Sequence, residues 1–366
     1  MSATPHYVPP DFDASHLVQA PAARTVPAER DGVLPDDFFA TTNLPTYVKG
    51  ANGAWTMPRE ARMDGVLVRD PDGGWWVREG RRVQSGDEVV VGRAEDGSQG
   101  VLVHARGFAG DAAAHGDFHF MSSQVSREKP IDYQHIARML VEEKRRGGYV
   151  LWVTGPALVH SRARDNMVWF IRKGYVQALL AGNAVAVHDI EADIVGTTLG
   201  MTGTGDPTEG GHSAHMRAIN AVRRSGSIAR AVHDGVIKGG IMHSCVVEEV
   251  PFVLAGSLRD DGPLPDVITD MIAAQDATRA HTKRATMAVL IATALHSIAV
   301  GNMLPAYYDD PQRGIVELPT ICVDASEFLV SKLKDRGTHQ AVGVVTNAQD
   351  FMSILQTAVE REVENW

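Results

Sequence analysis

Residues 149–155, YVLWVTG, decide the fold that we predict for this chain. The run is almost wholly apolar, has the length of a strand and ends in a polar and a small residue. Five further apolar runs of this kind occur, at 176–187, 250–257, 287–294, 320–326 and 341–347. Segments with helical periodicity separate them, and such runs are typical of strands that are buried on both faces. The pattern therefore predicts the α/β class, with a parallel sheet that is covered by helices on both sides.

The chain is expected to divide into more than one domain. At 366 residues it is longer than one core usually supports, because cores stop growing near about 250 residues. Residues 1–35 are rich in Pro and Ala and predict a tail that is loose or laid across a neighbour. Short alternating runs such as GVLVRD at 65–70 and GGWWVREG at 73–80 predict hairpins. We therefore expect a small β-rich domain over 36–125 and a larger catalytic domain over 126–366.

Composition excludes several classes of partner. The formal net charge of −10 repels phosphate backbones and anionic lipids, so we expect neither nucleic acid nor a membrane as partner. A small cationic or zwitterionic ligand suits this charge better. Cys245 and Cys322, the two cysteines of the sequence, form no disulfide framework. With no basic and apolar leader segment and no apolar run of about 18 residues, we expect a cytoplasmic protein.

Two strand ends are candidates for binding a cofactor. Gly155 and Pro156 follow the first run and precede a helical stretch, so their turn offers backbone N–H groups to a pyrophosphate. Asp324 ends the run ICVD, where an acidic residue commonly binds ribose hydroxyls. Alternatively, an acidic residue here caps the next helix, although Ser326 is well placed for that role and would leave Asp324 free. The glycine fingerprint G-x-G-x-x-G is absent from these turns.

The polar string AGSLRDDGPLPD, at 255–266, directly follows a buried strand. Arg259 could hold a substrate carboxylate in a two-pronged geometry, and Asp260 or Asp261 could accept a proton or hold an amine. The alternative interpretation is an Asp-Gly turn with a surface ion pair. Its place at the carboxyl end of a strand favours the functional interpretation.

Histidine and cysteine supply further candidates. His160 and His296 each lie just beyond an apolar run and could contact a cofactor or transfer a proton, or could be structural. Cys245 could be a reactive thiolate or a buried, inert thiol. Pairs such as His188 ahead of Glu191 do not make a convergent ligand set, and we predict no dedicated metal site.

Several longer strings are specific enough to identify a family. They are TTNLPTYV at 41–48, RMDGVLV at 62–68, GPALVH at 155–160, LLAGNAVAVHDIE at 179–191, GIMHSCV at 240–246, PFVLAGSLRDDGPLPDVITD at 251–270, LHSIAVGNMLP at 295–305 and KLKDRGTHQAVGVVT at 332–346. From about residue 38 to the C-terminus the chain resembles the archaeal and cyanobacterial type of ornithine cyclodeaminase. That family is also labelled the LOR/SDH bifunctional enzyme conserved region, and it forms the C-terminal part of arginine dihydrolase/ornithine cyclodeaminase fusions.

The resemblance implies a fold and a set of cofactor contacts. The domain at 126–366 would be a Rossmann-like NAD-binding domain of the deoxyhypusine-synthase and sirtuin kind, which explains the missing glycine fingerprint. Carried over by position, the NAD contacts fall on Asn183, Ala184, Asp261, Thr293, Ala294, Leu295, His296, Asp324, Asn347 and Ala348. The pair Asn347-Ala348 departs from the family's usual Asp-Val, and 307–319 resembles an insertion.

The resemblance also implies a reaction without net oxidation. NAD would take a hydride from the α-carbon of ornithine or a close diamino acid, the δ-amine would attack the imine, ammonia would leave, and the hydride would return to give proline or its homologue. A base must first remove a proton from the α-ammonium group to give a neutral α-amine. We predict Asp260 or Asp261 as this base, with His160 or His296 as alternatives. Arg259 would hold the substrate carboxylate.

Two other functions stay open at this point, together with the exact substrate. An NAD-dependent amino-acid or imine oxidoreductase would release NADH, and a non-catalytic NAD-binding subunit would bind without turnover. Ornithine and lysine differ by one methylene, and no single residue announces that choice. We also expect a homo-oligomer of unspecified stoichiometry.

Overall fold

The structure is a computed structural model that describes residues 7–108, 131–202, 206, 208–209, 211–260, 262–305, 307–336 and 341–365. The chain divides into two compact units. Unit 1 comprises Met1–Lys129, Asn302–Leu318 and Gly337–His339, and unit 2 comprises Pro130–Gly301, Pro319–Arg336 and Gln340–Trp366. Residues 302–318 thus group with the N-terminal part of the chain.

Unit 1 is built from antiparallel strands, which confirms the prediction of a β-rich N-terminal region. One sheet has the order β1 (Arg24–Pro27), β6 (Glu88–Val91), β4 (Val66–Arg69) and β5 (Trp75–Arg78). A second has the order β3 (Trp55–Thr56), β2 (Thr46–Lys49) and β7 (Val101–Val103). The segment at 307–319 contributes a hairpin of β13 (Tyr307–Asp310) and β14 (Gly314–Glu317). The predicted hairpin of β4 and β5 forms, closed by the Asp70 N–H donating to the Gly74 carbonyl at 2.8 Å.

The prediction of a loose tail over 1–35 is wrong for the residues that the structure describes there. Strand β1 pairs with β6, and a short helix, α1 (Ser15–Val18), precedes it. The Tyr7 hydroxyl lies 2.8 Å from the Tyr47 hydroxyl, and the buried Lys49 ammonium donates to three carbonyls of residues 17, 18 and 20. These bonds fix the segment to unit 1.

Unit 2 contains the predicted parallel sheet. Its seven strands pair in parallel in the order β11 (Val267–Ile268), β10 (Phe252–Ala255), β9 (Ala178–Gly182), β8 (Val150–Thr154), β12 (Met287–Ile291), β15 (Thr320–Asp324) and β16 (Ala341–Val345). Every residue of β8 and β12 is buried, as their apolar sequences predict. Trp152 and Leu179 lie in the centre of this core together with Phe170 and Phe351 from the helices.

Helices connect the strands. They are α2 (Tyr133–Arg145), α3 (Ala157–His160), α4 (Arg164–Arg172), α5 (Asn183–Ile194), α6 (Ala214–Ser225), α7 (Ile228–His233), α8 (Ile241–Val247), α9 (Met271–Thr282), α10 (Ala294–Met303), α11 (Glu327–Arg336) and α12 (Ala348–Glu364). Gly226, with a left-handed φ of 90°, ends α6, and the Ser227 side chain caps α7. Within the described part of the chain, no helix is both long and apolar enough to span a membrane.

The strand order places a ligand crevice in the middle of the sheet. From β8 the chain adds β9, β10 and β11 on one side, then returns to add β12, β15 and β16 on the other. Connections therefore leave β8 and β12 in opposite directions. Such a switch point leaves a crevice beyond the carboxyl ends of the two strands. We call this place the switch-point crevice, and the side of the sheet on which it lies the carboxyl edge.

Candidate functional site

The turns after β8 and β12 fit against each other at the switch-point crevice. The Gly155 N–H donates to the Ile291 carbonyl at 2.9 Å. A Cβ added to Gly155 would overlap the carbonyl oxygen of Ala292, so glycine is required by close approach. Ala292 itself has a left-handed φ of 58°. The sequence prediction of a tight turn at Gly155 and Pro156 is therefore matched by a backbone that admits no side chain.

Several buried polar atoms around this crevice have no hydrogen-bond partner among the described residues. They are Thr154 Oγ1 at the end of β8, His160 Nδ1, Ser161 Oγ, and Ser297 Oγ on α10. Buried polar atoms are nearly always satisfied, and exceptions mark places where water, an ion or a ligand completes the structure. Sequence reasoning missed Ser161 and Ser297. The one available signal was that each hydroxyl directly follows a predicted site histidine.

The end of β9 brings Asn183 and Ala184 to the same edge. They open α5, whose N-cap, Gly182, offers no side chain to the first-turn N–H groups. Asn183 is buried, and its Oδ1 accepts from the Leu264 N–H at 3.1 Å, which ties the loop after β10 to α5. The backbone N–H groups of α5 thus remain the parts suited to a negatively charged ligand.

His296 lies against the end of β9. Its Cε1 atom would be 3.1 Å from a Cβ on Gly182, so the imidazole covers this glycine. Burial lowers the pKa of His296, while the negative charge of Asp260 acts in the opposite direction. The structure therefore brings together His296 and Asp260, which are far apart in sequence.

The loop after β10 forms a turn. The Ser257 N–H donates to Asp260 Oδ2 at 2.8 Å, and the Arg259 N–H donates to Ser257 Oγ at 3.1 Å. Asp260 is half-buried, whereas Arg259 is exposed, and Leu258 beside it is fully exposed. Asp260 thus stabilises a turn, as the alternative interpretation predicted. Its negative charge also lies close enough to His296 to oppose the lowering of the pKa of that imidazole by burial. Asp261 lies outside the described residues.

The remaining predicted cofactor contacts occupy the other half of the carboxyl edge. Thr293 and Ala294 are half-buried at the start of α10, while Leu295 is 83% exposed. Asp324 Oδ1 accepts from the Ser326 N–H at 2.9 Å in the turn before α11, and Ser326 rather than Asp324 directly precedes that helix. One carboxylate oxygen is thereby engaged in the turn.

Asn347 and Ala348 begin α12, after the edge strand β16. The Asn347 side chain accepts from the Asp350 N–H at 2.9 Å and donates to the Asp350 carboxylate at 2.7 Å. This is an N-cap, and it explains an asparagine at this position by local structure alone. Ala348 is buried.

The structure argues against Cys245 as a nucleophile. Cys245 is 1% exposed on α8, and burial, with a contribution from Asp189, raises the pKa of its thiol. Reactive cysteines need a lowered pKa and access to solvent. Cys322 is likewise buried, with a pKa raised by burial to about 12. Both thiols are free.

Two histidines that are separate in the sequence, His160 and His188, lie side by side on α3 and α5. The His160 and His188 rings lie edge to face, with centroids 4.6 Å apart. His188 Nδ1 donates to Glu191 Oε2 at 2.9 Å. Across the described ranges, no group of three His, Cys, Asp or Glu side chains could hold a metal ion.

Family models match most of the chain, from residue 45 to residue 355. Residues 134–355 match the family described as "Arginine dihydrolase ArgZ-like, C-terminal, Rossmann fold". Residues 45–134 match the corresponding "first region". The two matches are adjacent.

Individual relatives agree with these matches. An ornithine cyclodeaminase of Methanopyrus kandleri is 44% identical over 353 residues, which are 94% of this chain and 80% of that protein. Among solved structures, a putative LOR/SDH protein from Methanococcus maripaludis S2 superposes with a TM-score of 0.83 at 40% identity, over 94% of this chain and 99% of that one. The ternary complex of AgrE with ornithine and NAD+ has a TM-score of 0.61 at 36% identity, over 95% of this chain and 47% of that one. This chain spans about half the length of AgrE.

Proposed function

The chain belongs to the family of ArgZ-like C-terminal regions, and from this membership we infer that it is an NAD-dependent enzyme with ornithine cyclodeaminase-like activity. We propose further that it converts ornithine, or a close diamino acid, into proline or its homologue with release of ammonia. When bound, NAD supplies a site that accepts two electrons from the substrate carbon and later gives them back. The overall reaction then needs no external oxidant.

One observation carries this proposal, and it is the convergence of unsatisfied groups on the switch-point crevice. Thr154 and Ser297 present buried hydroxyls without partners among the described residues, and Gly155 lets the backbone of a ligand-binding turn approach closely. These features fit a dinucleotide that lies across the carboxyl ends of the strands. We therefore assign NAD to this crevice.

We propose the individual contacts with NAD from the position of each residue at the carboxyl edge of the sheet. The turn of Gly155 and Pro156 and the opening N–H groups of α5, at Asn183 and Ala184, would hold the pyrophosphate. Asp324 would bind ribose hydroxyls through the oxygen that does not accept from Ser326. The other proposed contacts are Asp261, Thr293, Ala294, Leu295, His296, Asn347 and Ala348.

Arg259 is our proposed partner for the substrate carboxylate. Its side chain is exposed and forms no ion pair with any residue that the structure describes. An exposed guanidinium can bind a substrate carboxylate through two parallel hydrogen bonds. The proposed proton acceptor is Asp260, His160 or His296, each of which follows a strand of the sheet.

Turnover of ornithine tests the proposed function. Purified chain with catalytic NAD and excess ornithine should release ammonia and form proline, while absorbance at the NADH band stays flat. NADH accumulation in proportion to ammonia would instead identify an oxidoreductase. Binding of NAD without turnover of ornithine, lysine or arginine would identify a non-catalytic subunit. Product identity by mass spectrometry separates proline from its homologue.

We also propose that the protein is a cytoplasmic homo-oligomer. Two free, buried thiols suit a reducing compartment. Leu258, Leu295 and Phe328 are large apolar side chains that stand exposed beyond three strand ends, as expected of a surface that a second copy covers. Sedimentation analysis of the purified chain would give the number of copies.

A further inference from the structure

Three side chains on α3 and α5 form a connected chain from the carboxyl edge into the core. His160 is half-buried in the first turn after β8, and its ring stands at 63° to the His188 ring at a centroid distance of 4.6 Å. The His188 side chain is 12% exposed, and the Glu191 side chain is fully buried. The order His160, His188, Glu191 therefore runs from a ligand-accessible position to an inaccessible carboxylate.

Glu191 is held firmly as an anion. Besides the 2.9 Å bond from His188, it accepts from the Thr197 hydroxyl and from the Gly200 N–H, each at 2.9 Å. Burial pushes the pKa of Glu191 upward, but these hydrogen bonds outweigh burial and leave the pKa lowered. A carboxylate buried with so many donors is ionised at neutral pH.

The carboxylate also fixes the tautomer of His188. Because Nδ1 of His188 donates to Glu191, its hydrogen sits on that nitrogen and the ring cannot turn freely. Packed against this fixed ring, His160 has one buried nitrogen, Nδ1, without a partner among the described residues. The half-buried His160 ring thus presents its Nε2 edge as the side open to a ligand.

We propose that His160 is the proton acceptor for the α-ammonium group of the substrate, and that His188 and Glu191 are positioning residues. His188 holds the His160 ring, and the Glu191 carboxylate stabilises the positive charge that the ring acquires. This rests on the proposed function. The α-nitrogen gives up one proton, a new N–H bond forms at Nε2 of His160, and no electrons are transferred. To accept there, the neutral ring carries its hydrogen on Nδ1.

The surroundings of His160 keep its ring neutral. Burial, and secondarily His188, lower the pKa of His160 to about 4, while Glu191 acts in the opposite direction. Helices α4 and α12 also pack against α3, and no charged group on them acts on His160 among the described residues. His160 is therefore neutral, and able to accept a proton, throughout the range above about pH 4. The same desolvation lowers the pKa of an ammonium bound beside it, so both groups favour their neutral forms.

Asp260 is the competing acceptor, and its geometry suits another role. Its Oδ2 is engaged by the Ser257 N–H at 2.8 Å, within a turn whose neighbour Leu258 is fully exposed. Removing charge from Asp260 without changing its shape should leave the turn intact, because an amide oxygen still accepts this bond.

The test is the pH dependence of kcat/KM for ornithine in variants of the full chain with saturating NAD. His160→Gln is the main variant, His188→Gln tests positioning, and Asp260→Asn tests the competing acceptor. His233→Gln is the matched control, since this histidine side chain is 89% exposed on α7. Circular dichroism melting and NADH fluorescence titration show whether each variant folds and binds cofactor.

Wild-type kcat/KM is expected to be flat between about pH 6 and 8, because the enzyme itself deprotonates the bound ammonium. His160→Gln should lose about 10²- to 10⁴-fold at pH 7 and then rise about tenfold per pH unit, since only substrate with a free amine reacts. His188→Gln should lose about tenfold in kcat with little change in KM. Asp260→Asn should keep a flat profile.

A folded, cofactor-binding His160→Gln protein with a flat profile and kcat/KM within threefold of wild type would overturn the proposal. So would a tenfold rise per pH unit in Asp260→Asn alone, which would make Asp260 the acceptor. Wild-type protein that releases no ammonia from ornithine would overturn the proposed function and this inference with it. The wild-type assay therefore separates the two failures.

Discussion

Gly155 shows how a single residue can define a tight turn. The sequence marks it as a glycine after an apolar run, but many such glycines merely end strands. The structure adds that a Cβ at this position would collide with the Ala292 carbonyl oxygen across the switch-point crevice. Since Ala292 is itself in the left-handed region, the facing turn has little freedom to retreat.

We predict that Gly155→Ala weakens both folding and cofactor binding. The added methyl group must push apart the turns after β8 and β12, and overpacking of this kind costs about 1–3 kcal/mol. Because both turns line the crevice, affinity for NAD should fall at least tenfold. Denaturant unfolding and NADH fluorescence titration measure the two effects.

Gly301 on α10 provides the matched control. A Cβ there meets no atom within 4 Å, so Gly301→Ala should be neutral or stabilise the helix by up to about 1 kcal/mol. If Gly155→Ala matched this control in both measurements, the close approach of Gly155 to Ala292 would contribute neither to stability nor to NAD binding.

The sequence predicted the strand-end positions of the candidate site residues better than it predicted their hydrogen-bond partners. Asp324 and Asp260 lie at strand ends, where the apolar runs place them, yet both accept a backbone N–H of their own turn. Those bonds depend on loop dihedrals, which composition does not reveal. Cys245 was ambiguous because reactivity depends on burial, and its helix turns it inward. His188 and Glu191 became meaningful only when α5 packed beside α3.

At the scale of elements, α12 begins at an N-cap residue, Asn347, that is also one of the predicted cofactor contacts. Asn347 Oδ1 accepts a hydrogen bond from the Asp350 N–H at 2.9 Å. The helix that follows buries Phe351 and Leu355 in the core of unit 2. An N-cap side chain satisfies one of the free N–H groups of the first turn.

Asn347→Ala is therefore expected to destabilise the protein by about 1 kcal/mol. Asn347→Ser should recover most of that loss, because its hydroxyl can accept the same bond. Denaturation midpoints of the three proteins give the comparison. Unchanged NAD affinity in Asn347→Ala would assign this residue to helix capping alone, whereas loss of affinity in both variants would support its proposed cofactor contact.

Strands whose sequences are continuous apolar runs were predicted well, whereas short strands without such a run were not. The runs that gave β8 and β12 are apolar because every residue of these strands is buried inside unit 2. Strand β1 is four residues long and contains proline, and its structure comes from pairing with β6 at the edge of a sheet. No local periodicity announces such a strand, which is why the expectation of a loose tail failed.

At the scale of the whole molecule, the strand order is the property that brings candidate site residues together from distant parts of the sequence. The sequence predicts which segments are strands, but it does not state that β12 returns to the other side of β8. That return places the turn at Gly155 beside the turn at Ala292, and it brings His296 over Gly182. A ligand bound in the crevice must therefore link the two halves of the sheet.

Such a link predicts how NAD changes the stability of the molecule. A ligand that binds only folded protein adds about 2.7 kcal/mol at a concentration of 100 times its Kd. For a unit of about 200 residues, each kcal/mol raises Tm by roughly 2–4 °C, so saturating NAD should raise the Tm of unit 2 by about 5–10 °C. Differential scanning calorimetry measures the shift, and Gly155→Ala should reduce it at the same NAD concentration, because the turn no longer fits the crevice. A shift equal to that of wild type in this variant would place the cofactor elsewhere on the molecule.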